Sequence, residues 1–90
     1  MKIQIPFAVA AQKVFWSPLP TTEERADRRD RVMKVFREFA EELKKHGVER
    51  VEMTYSETQM KIYYQFFPVI NGKLRTLGDA MRELGLEAEG

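Results

Sequence analysis

Two of the side chains that most often carry out catalysis or bind metals, cysteine and histidine, are scarce in this chain. It contains no cysteine and a single histidine, His46, so neither a thiolate zinc site nor a cluster of histidine ligands can form. The sequence has no phosphate-binding glycine loop, dinucleotide-binding motif or nucleophile motif with a partner histidine. His46 precedes Gly47 at a position where a cation suits the end of a helix. We therefore expect no enzymatic activity, no metal and no cofactor.

An arginine-rich segment, ERADRRDR at residues 24–31, is the first feature that could bind a partner. At about 100° per residue, Arg25 and Arg29 fall on the same helical stripe as Phe36, so an apolar face would continue into two arginines, with Arg28 beside them. The planar guanidinium suits phosphate and carboxylate equally. One interpretation is that this helix end is simply solvated, and the other is that these arginines bind an anion or an acidic partner.

Aromatic side chains on the outer face of a predicted sheet are the second such feature. Period-2 alternation puts Lys61, Tyr63 and Phe67 on the face opposite to the core. Trp16 is a further aromatic candidate, beside a proline-rich connector. Aromatics next to lysine or arginine serve for stacking single-stranded nucleic acid and also for contacts between proteins. A third interpretation is that the C-terminal helix covers this face.

The elements that must position these residues follow from periodicity and capping signals. Alternation of apolar residues predicts a first strand from Lys2 to Val9, with a bulge or bend near Ala10 to Gln12 and more strand up to Trp16. Pro6 would place that strand at an edge. A rigid connector at Ser17-Pro18-Leu19-Pro20 should lead into a helix from Thr21 or Thr22 to His46, which Gly47 ends. Two strands should follow, one around Val51 to Tyr55 and one from Met60 to Phe67 that Pro68 ends or kinks. The rest of the chain should form an Asn71-Gly72 ribbon, a helix Leu77 to Leu84 between Thr76 and Gly85, and a frayed end from Glu87 to Gly90.

This order predicts one α+β domain that spans residues 1–90. The elements would form a β-α-β-β-α two-layer sandwich with a three-stranded sheet, or a four-stranded one if the short C-terminal ribbon joins it. The order resembles a ferredoxin-like fold that lacks its last strand, and such a fold by itself implies no function. The missing strand would leave one edge of the first strand free for a second copy of the chain.

Length and charge limit the class of partner. Ninety residues give one modest core with a thin margin of stability, which favours a homodimer. Fifteen Lys and Arg against fourteen Asp and Glu leave a formal net charge of +1, less basic than is usual for proteins that bind duplex DNA. The apolar N-terminus is a poor signal peptide and too short to span a bilayer, so we expect a cytoplasmic protein without membrane contact. The excess of glutamate over aspartate favours a thermophilic source.

The sequence thus favours a non-enzymatic protein-interaction or regulatory module, homodimeric, that binds a protein partner through the open sheet face and the basic start of the long helix. The predicted contact residues are Trp16, Arg25, Arg28, Arg29, Lys61, Tyr63 and Phe67. The main alternative is a protein that binds single-stranded DNA or RNA through the sheet aromatics and the helix arginines. A further alternative is a de novo designed α+β protein with no biological function. We infer no small-molecule substrate.

Overall fold

A computed structural model describes residues 1–16 and 21–89 of the chain. The predicted connector at Ser17-Pro18-Leu19-Pro20 and the final Gly90 lie outside the described residues. The elements in chain order are β1 (Lys2–Ile3), α1 (Phe7–Ala11), β2 (Lys13–Phe15), α2 (Thr22–Lys45), β3 (Arg50–Glu57), β4 (Lys61–Ile70), β5 (Lys73–Leu74), α3 (Leu77–Leu84) and β6 (Glu87–Ala88). Helices and mostly antiparallel strands together confirm the predicted α+β class.

The main sheet is antiparallel and is centred on β4. β2 and β3 pair with β4 in the order β2-β4-β3, and β5 also pairs with β4. The Asn71-Gly72 ribbon is confirmed, because both residues have positive φ, 51° and 74°, as a tight hairpin turn requires. The strand does not end at Pro68, as predicted, but continues to Ile70, with Pro68 opposite Val51.

The predicted continuous first strand is wrong. Lys2–Ile3 is a strand, but the chain then forms the short helix α1 instead of continuing in a sheet. Pro6 precedes α1 with a φ of −57°, and the missing N–H of proline costs nothing at a helix start. Gln12 ends α1 in the left-handed conformation, with a φ of 54°, and redirects the chain into β2. The break predicted near Ala10 to Gln12 is therefore a helix end and not a bulge.

The expectation that residues 87–90 fray is also wrong for the part of this segment that the structure describes. Glu87–Ala88 forms β6, which pairs in parallel with β1. The backbone N–H of Glu87 donates to the carbonyl oxygen of Met1 at 2.9 Å, and that of Glu89 donates to Ile3 at 2.7 Å. A two-stranded sheet therefore ties the N-terminal strand to the segment that follows α3.

α2 covers one face of the main sheet. Thr21 Oγ1 accepts a hydrogen bond from the Glu24 N–H at 3.2 Å, which confirms the predicted N-terminal cap. Phe36 is fully buried, and its ring centroid lies 4.8 Å from that of Tyr64 and 5.5 Å from that of Phe66. Although α2 has 24 residues, no helix in the described part of the chain is long and apolar enough to cross a bilayer.

α3 lies in the same layer as α2. Its inward residues Leu77, Ala80 and Met81 belong to the buried cluster that contains Phe36. Thr76 caps its start and Gly85, with a φ of 69°, ends it, as predicted. Because α3 adds to the α2 layer, it does not cover the opposite face of β2, β3 and β4. We call this opposite face the open face; the odd-numbered residues of β2 and the even-numbered residues of β3 lie on it.

Candidate binding surface on the open sheet face

The open face carries a cluster of aromatic and lysine side chains where β2 pairs with β4. Lys13 lies opposite Tyr63, and Phe15 lies opposite Lys61. Since directly opposed residues in an antiparallel pair share a face, all four side chains point away from α2. Each strand contributes one cation and one aromatic ring, in opposite order. We call Lys13, Phe15, Lys61 and Tyr63 the cationic–aromatic cluster.

The distances within the cluster bring the ammonium groups against the rings. Lys61 Nζ lies 5.4 Å from the centroid of the Phe15 ring and 4.9 Å from that of Tyr63, and Lys13 Nζ lies 5.6 Å from the Phe15 centroid. These are cation–π distances. Phe15 is 54% exposed and Tyr63 39%, so both rings keep accessible surface. Neither lysine forms an ion pair with a carboxylate of the described residues.

A groove of about 560 Å³ adjoins the cluster and crosses the open face from the end of α1 towards β3. Its walls are formed by Ala11, Gln12, Lys13, Thr54, Tyr55, Ser56, Tyr63, Tyr64 and Gln65. Thr54 and Gln65 are opposed on β3 and β4, and Thr54 Oγ1 donates a hydrogen bond to Gln65 Oε1 at 2.9 Å. The open face therefore combines rings and cations with a concave region of hydroxyl and amide groups.

Two of the predicted contact residues, Trp16 and Arg28, pack against each other beside the cluster. Trp16 is only 6% exposed, and its indole Nε1 donates to the carbonyl oxygen of Thr58 at 3.3 Å, so its ring serves the core. The Arg28 guanidinium lies 5.3 Å from the Trp16 ring centroid, and Nη1 donates to the carbonyl oxygen of Phe15 at 3.4 Å. The charge of Arg28 therefore lies at the margin of the cluster.

Arg29 and Arg25 do not join the open face. Arg29 Nη1 donates to Glu57 Oε2 at 3.0 Å, and its guanidinium lies 5.8 Å from the Tyr55 ring centroid. Arg25 is half-buried, and its Nε has no hydrogen-bond partner among the described residues. The structure thus divides the predicted site into a helix-end group, Arg25 and Arg29, and a sheet-face group near Tyr63.

Phe67 lies on the open face, as predicted, but at a distance from the cluster. It follows Tyr63 by four residues on β4, which is roughly 13 Å along a strand. Phe67 is half-buried and opposes Glu52, whose Oε1 accepts a hydrogen bond from Arg50 Nε at 2.9 Å. This end of the open face is therefore neutralised by its own ion pair.

Lys13 and Phe15 belong to the cluster but not to the predicted site. The signal that could have found them is the alternation of the sequence itself. Val14 and Trp16 continue the apolar alternation of this segment, and they are half-buried and buried. The same alternation places Lys13 and Phe15 on the outer face, opposite the β4 residues that were predicted.

Directly behind the cluster, Tyr64 faces the core. Burial raises the pKa of Tyr64 to about 12, an effect that the nearby Arg29 partly opposes. The Tyr64 hydroxyl has no hydrogen-bond partner among the described residues. At neutral pH this side chain is an uncharged core residue, and its role is in packing beneath the open face.

Comparison with known proteins found no match: no family model, no curated protein and no solved structure is similar to this chain. Among residues 1–16 and 21–89, no three or more His, Asp or Glu side chains gather where they could hold a metal ion.

Proposed function

We propose that this protein is a non-enzymatic binding module whose open face binds single-stranded nucleic acid. The observation that carries the proposal is the cationic–aromatic cluster, in which two exposed rings alternate with two lysines. Bases stack on aromatic rings, and lysines neutralise the phosphates that link them. The bases of a single strand are free to stack in this way, whereas those of a duplex are occupied by their neighbours.

The cluster favours a nucleic acid over the protein partner that the sequence alone favoured. Lysine is depleted at the centre of protein–protein interfaces, where it must be desolvated. Here Lys61 lies between the rings of Phe15 and Tyr63, at the centre of the exposed aromatic surface. A phosphate backbone supplies the opposite charge directly. The balanced overall charge suits contact with a short strand at one local patch better than contact with a long duplex.

The arginines at the start of α2 have unequal roles in this proposal. Arg28, which donates to the Phe15 carbonyl oxygen at the margin of the cluster, keeps donors that could reach a neighbouring phosphate. Arg29 is neutralised by Glu57, and we leave it and Arg25 out of the proposed surface. Trp16 supports the surface from inside the core.

We further propose that the fold is ferredoxin-like without its last strand. In support, β2 and β3 flank β4, both run antiparallel to it, and α2 connects them. In a complete ferredoxin-like fold, a fourth strand would pair with the outer side of β2. Among the described residues β2 pairs only with β4, so the cluster lies at the margin of the sheet, where a strand of nucleic acid would have access.

The proposal is tested by adding the protein to labelled DNA and RNA oligonucleotides and measuring their fluorescence anisotropy. Oligonucleotides of about ten nucleotides are suitable, because this length is within the range that small sheet domains cover. With Lys13 and Lys61 each contacting one phosphate, log K should fall with log salt with a slope of about −1.4. Phe15→Thr removes one stacking platform while keeping a strand-forming residue, and should weaken binding by roughly 5- to 150-fold, equivalent to about 1–3 kcal/mol.

Lys61→Gln and Lys34→Gln provide a matched pair of charge removals. Lys61 belongs to the cluster, whereas Lys34 is exposed on α2, on the other side of the sheet. Lys61→Gln should reduce the salt slope by about 0.7, and Lys34→Gln should leave it unchanged. Equal effects of the two substitutions, or no binding of either nucleic acid at low salt, would overturn the proposal.

A second candidate function is self-association or protein binding through the outer edge of β3. This eight-residue strand pairs only with β4 among the described residues, and Tyr55 on it is 49% exposed. An unpaired edge of this length can accept a strand from a partner. Light scattering over a dilution series tests for the homodimer, and a monomer at every concentration would contradict it. The cytoplasmic location and thermophilic source stay predictions.

A further inference from the structure

The groove beside the cluster contains side chains that could form hydrogen bonds to a ligand. Its volume of about 560 Å³ is within the range of small-molecule sites in proteins. Tyr63 and Lys13 of the cluster line the groove together with hydroxyl and amide side chains of β3 and β4. Hydroxyl and amide groups add no charge, so they contribute little to backbone neutralisation. They are the groups that read the edges of bases.

Gln65 is the side chain best placed for such reading. It is exposed on β4, two residues from Tyr63 on the same face. The hydrogen bond from Thr54 engages the Gln65 carbonyl oxygen, which fixes the orientation of the amide. The oxygen keeps a second lone pair, and the amide nitrogen keeps its hydrogens for a ligand. Gln65 therefore presents an acceptor and a donor side by side in a held geometry.

We propose that this groove binds one unstacked base, that the base turns its N7-bearing edge towards Gln65, and that Gln65 thereby selects adenine. The inference rests on the proposed function, because the base must belong to a strand held by the cluster. Adenine offers an N6 donor next to an N7 acceptor, which is the complement of a glutamine amide. The corresponding edge of guanine carries two acceptors, N7 and O6, so only one of them can pair with the amide. A single-ring pyrimidine fills less of the groove than a purine does.

Neighbouring residues of the open face should have different roles in binding. Tyr63 and Phe15 stack bases of any kind, since every base has a π-face. Gln65, supported by Thr54, adds a contact that, at the N7-bearing edge of the base, only adenine completes with both a donor and an acceptor. Affinity and base preference should therefore depend on different side chains of the same face.

The test compares oligonucleotides of equal length made only of A, C or U, measured by anisotropy at one salt concentration. The wild-type protein should bind the A strand tightest, by roughly 5- to 150-fold, the range for one bidentate base contact. Gln65→Leu keeps a side chain of similar size without the amide. This variant should lose the preference for A while still binding C and U strands. Tyr63→Thr should weaken binding of all three strands by similar factors.

A strand containing 7-deazaadenine, which lacks the N7 acceptor, provides a second measurement. It should bind the wild-type protein more weakly than the A strand does, and Gln65→Leu should not distinguish the two. Equal binding of A, C and U strands, preference for a different base, or a preference for A that survives in Gln65→Leu would overturn the inference while leaving strand binding intact. Failure of every strand to bind would instead overturn the proposed function.

Discussion

The two faces of the sheet differ in what their aromatic rings contact. On the covered face, the rings of Tyr64 and Phe66 pack against Phe36, and Tyr64 and Phe66 are almost fully buried. On the open face, the rings of Phe15 and Tyr63 contact lysine ammonium groups and remain exposed. Tyr63 and Tyr64 are adjacent on β4, so one strand supplies both environments through its alternation. The comparison indicates that the rings of the covered face stabilise the fold, whereas those of the open face keep accessible surface.

The largest expected effect is on the covered face. Phe36→Ala should lower the free energy of unfolding by about 3–5 kcal/mol, because it removes a fully buried ring and leaves a cavity against Tyr64 and Phe66. Urea denaturation followed by circular dichroism measures this loss. Phe7→Ala is the matched control, since Phe7 is 84% exposed, and should change stability by less than about 0.5 kcal/mol. Similar losses from both substitutions would contradict the assignment of Phe36 to the core.

The parts of the fold that could be predicted are those with local signals. Thr21 and Gly47 mark the ends of α2, Thr76 and Gly85 mark those of α3, and Asn71-Gly72 marks the hairpin. Each of these signals acts within a few residues, through a cap bond or a positive φ. Such positions can be recognised without knowledge of the tertiary structure.

The N-terminal region could not be predicted in the same way. Its alternating apolar residues are compatible with a strand, and a helix as short as α1 has too few residues to display helical periodicity. The pairing of β1 with β6 brings Lys2 next to Glu87, across most of the chain. No local signal specifies strands of two residues that pair over such a separation, because they form only once the core is in place.

The same distinction applies to the candidate site. Alternation along β4 was sufficient to place Lys61 and Tyr63 on the outer face. The pairing of Arg29 with Glu57 was not predictable, because it depends on how α2 crosses the β3–β4 hairpin. A stripe of arginines on a helix shows which way the side chains point, but not which carboxylate the fold brings to them.

Tyr64 gives a pH-dependent test of the covered face. Its pKa is raised from 10.0 to about 12 in the folded protein, so between these values the unfolded chain binds fewer protons than the folded chain. The free energy of unfolding should therefore fall as pH rises through this window, and this loss should be absent below pH 10.0, where the hydroxyl stays protonated in both states. Tyr64→Phe removes the titrating hydroxyl and should flatten this fall. Parallel pH profiles of the two proteins would contradict burial of Tyr64.

Tyr64→Phe also bears on packing at neutral pH. The hydroxyl has no hydrogen-bond partner among the described residues, so its removal sacrifices no bond with them. We expect the variant to be as stable as the wild type or slightly more stable, because an unpaired polar group is removed from the core. Thermal melting at neutral pH measures the difference.

A smaller effect on stability is expected at the start of α2. Arg29→Gln breaks an ion pair whose side chains are 28% and 25% exposed, and should cost less than about 1 kcal/mol of folding free energy. A double-mutant cycle with Glu57→Gln isolates the pairwise energy. Because Arg29 lies outside the cluster, the variant should bind oligonucleotides as the wild type does. A large loss of oligonucleotide binding without loss of stability would indicate that Arg29 belongs to the binding surface.

The smallest effect on stability is expected from Tyr63→Thr, which gives the sharpest contrast with Phe36→Ala. Tyr63 is 39% exposed on the open face, and threonine retains a strand-forming side chain, so stability should change by no more than about 0.5 kcal/mol. Binding of single strands should nevertheless weaken by roughly 5- to 150-fold, because a stacking platform is lost. Urea denaturation and anisotropy on the same preparation measure both quantities. If Tyr63→Thr instead destabilised the fold as much as Phe36→Ala does, the ring would be part of the core, and the division of β4 into a stabilising and a binding face would fail.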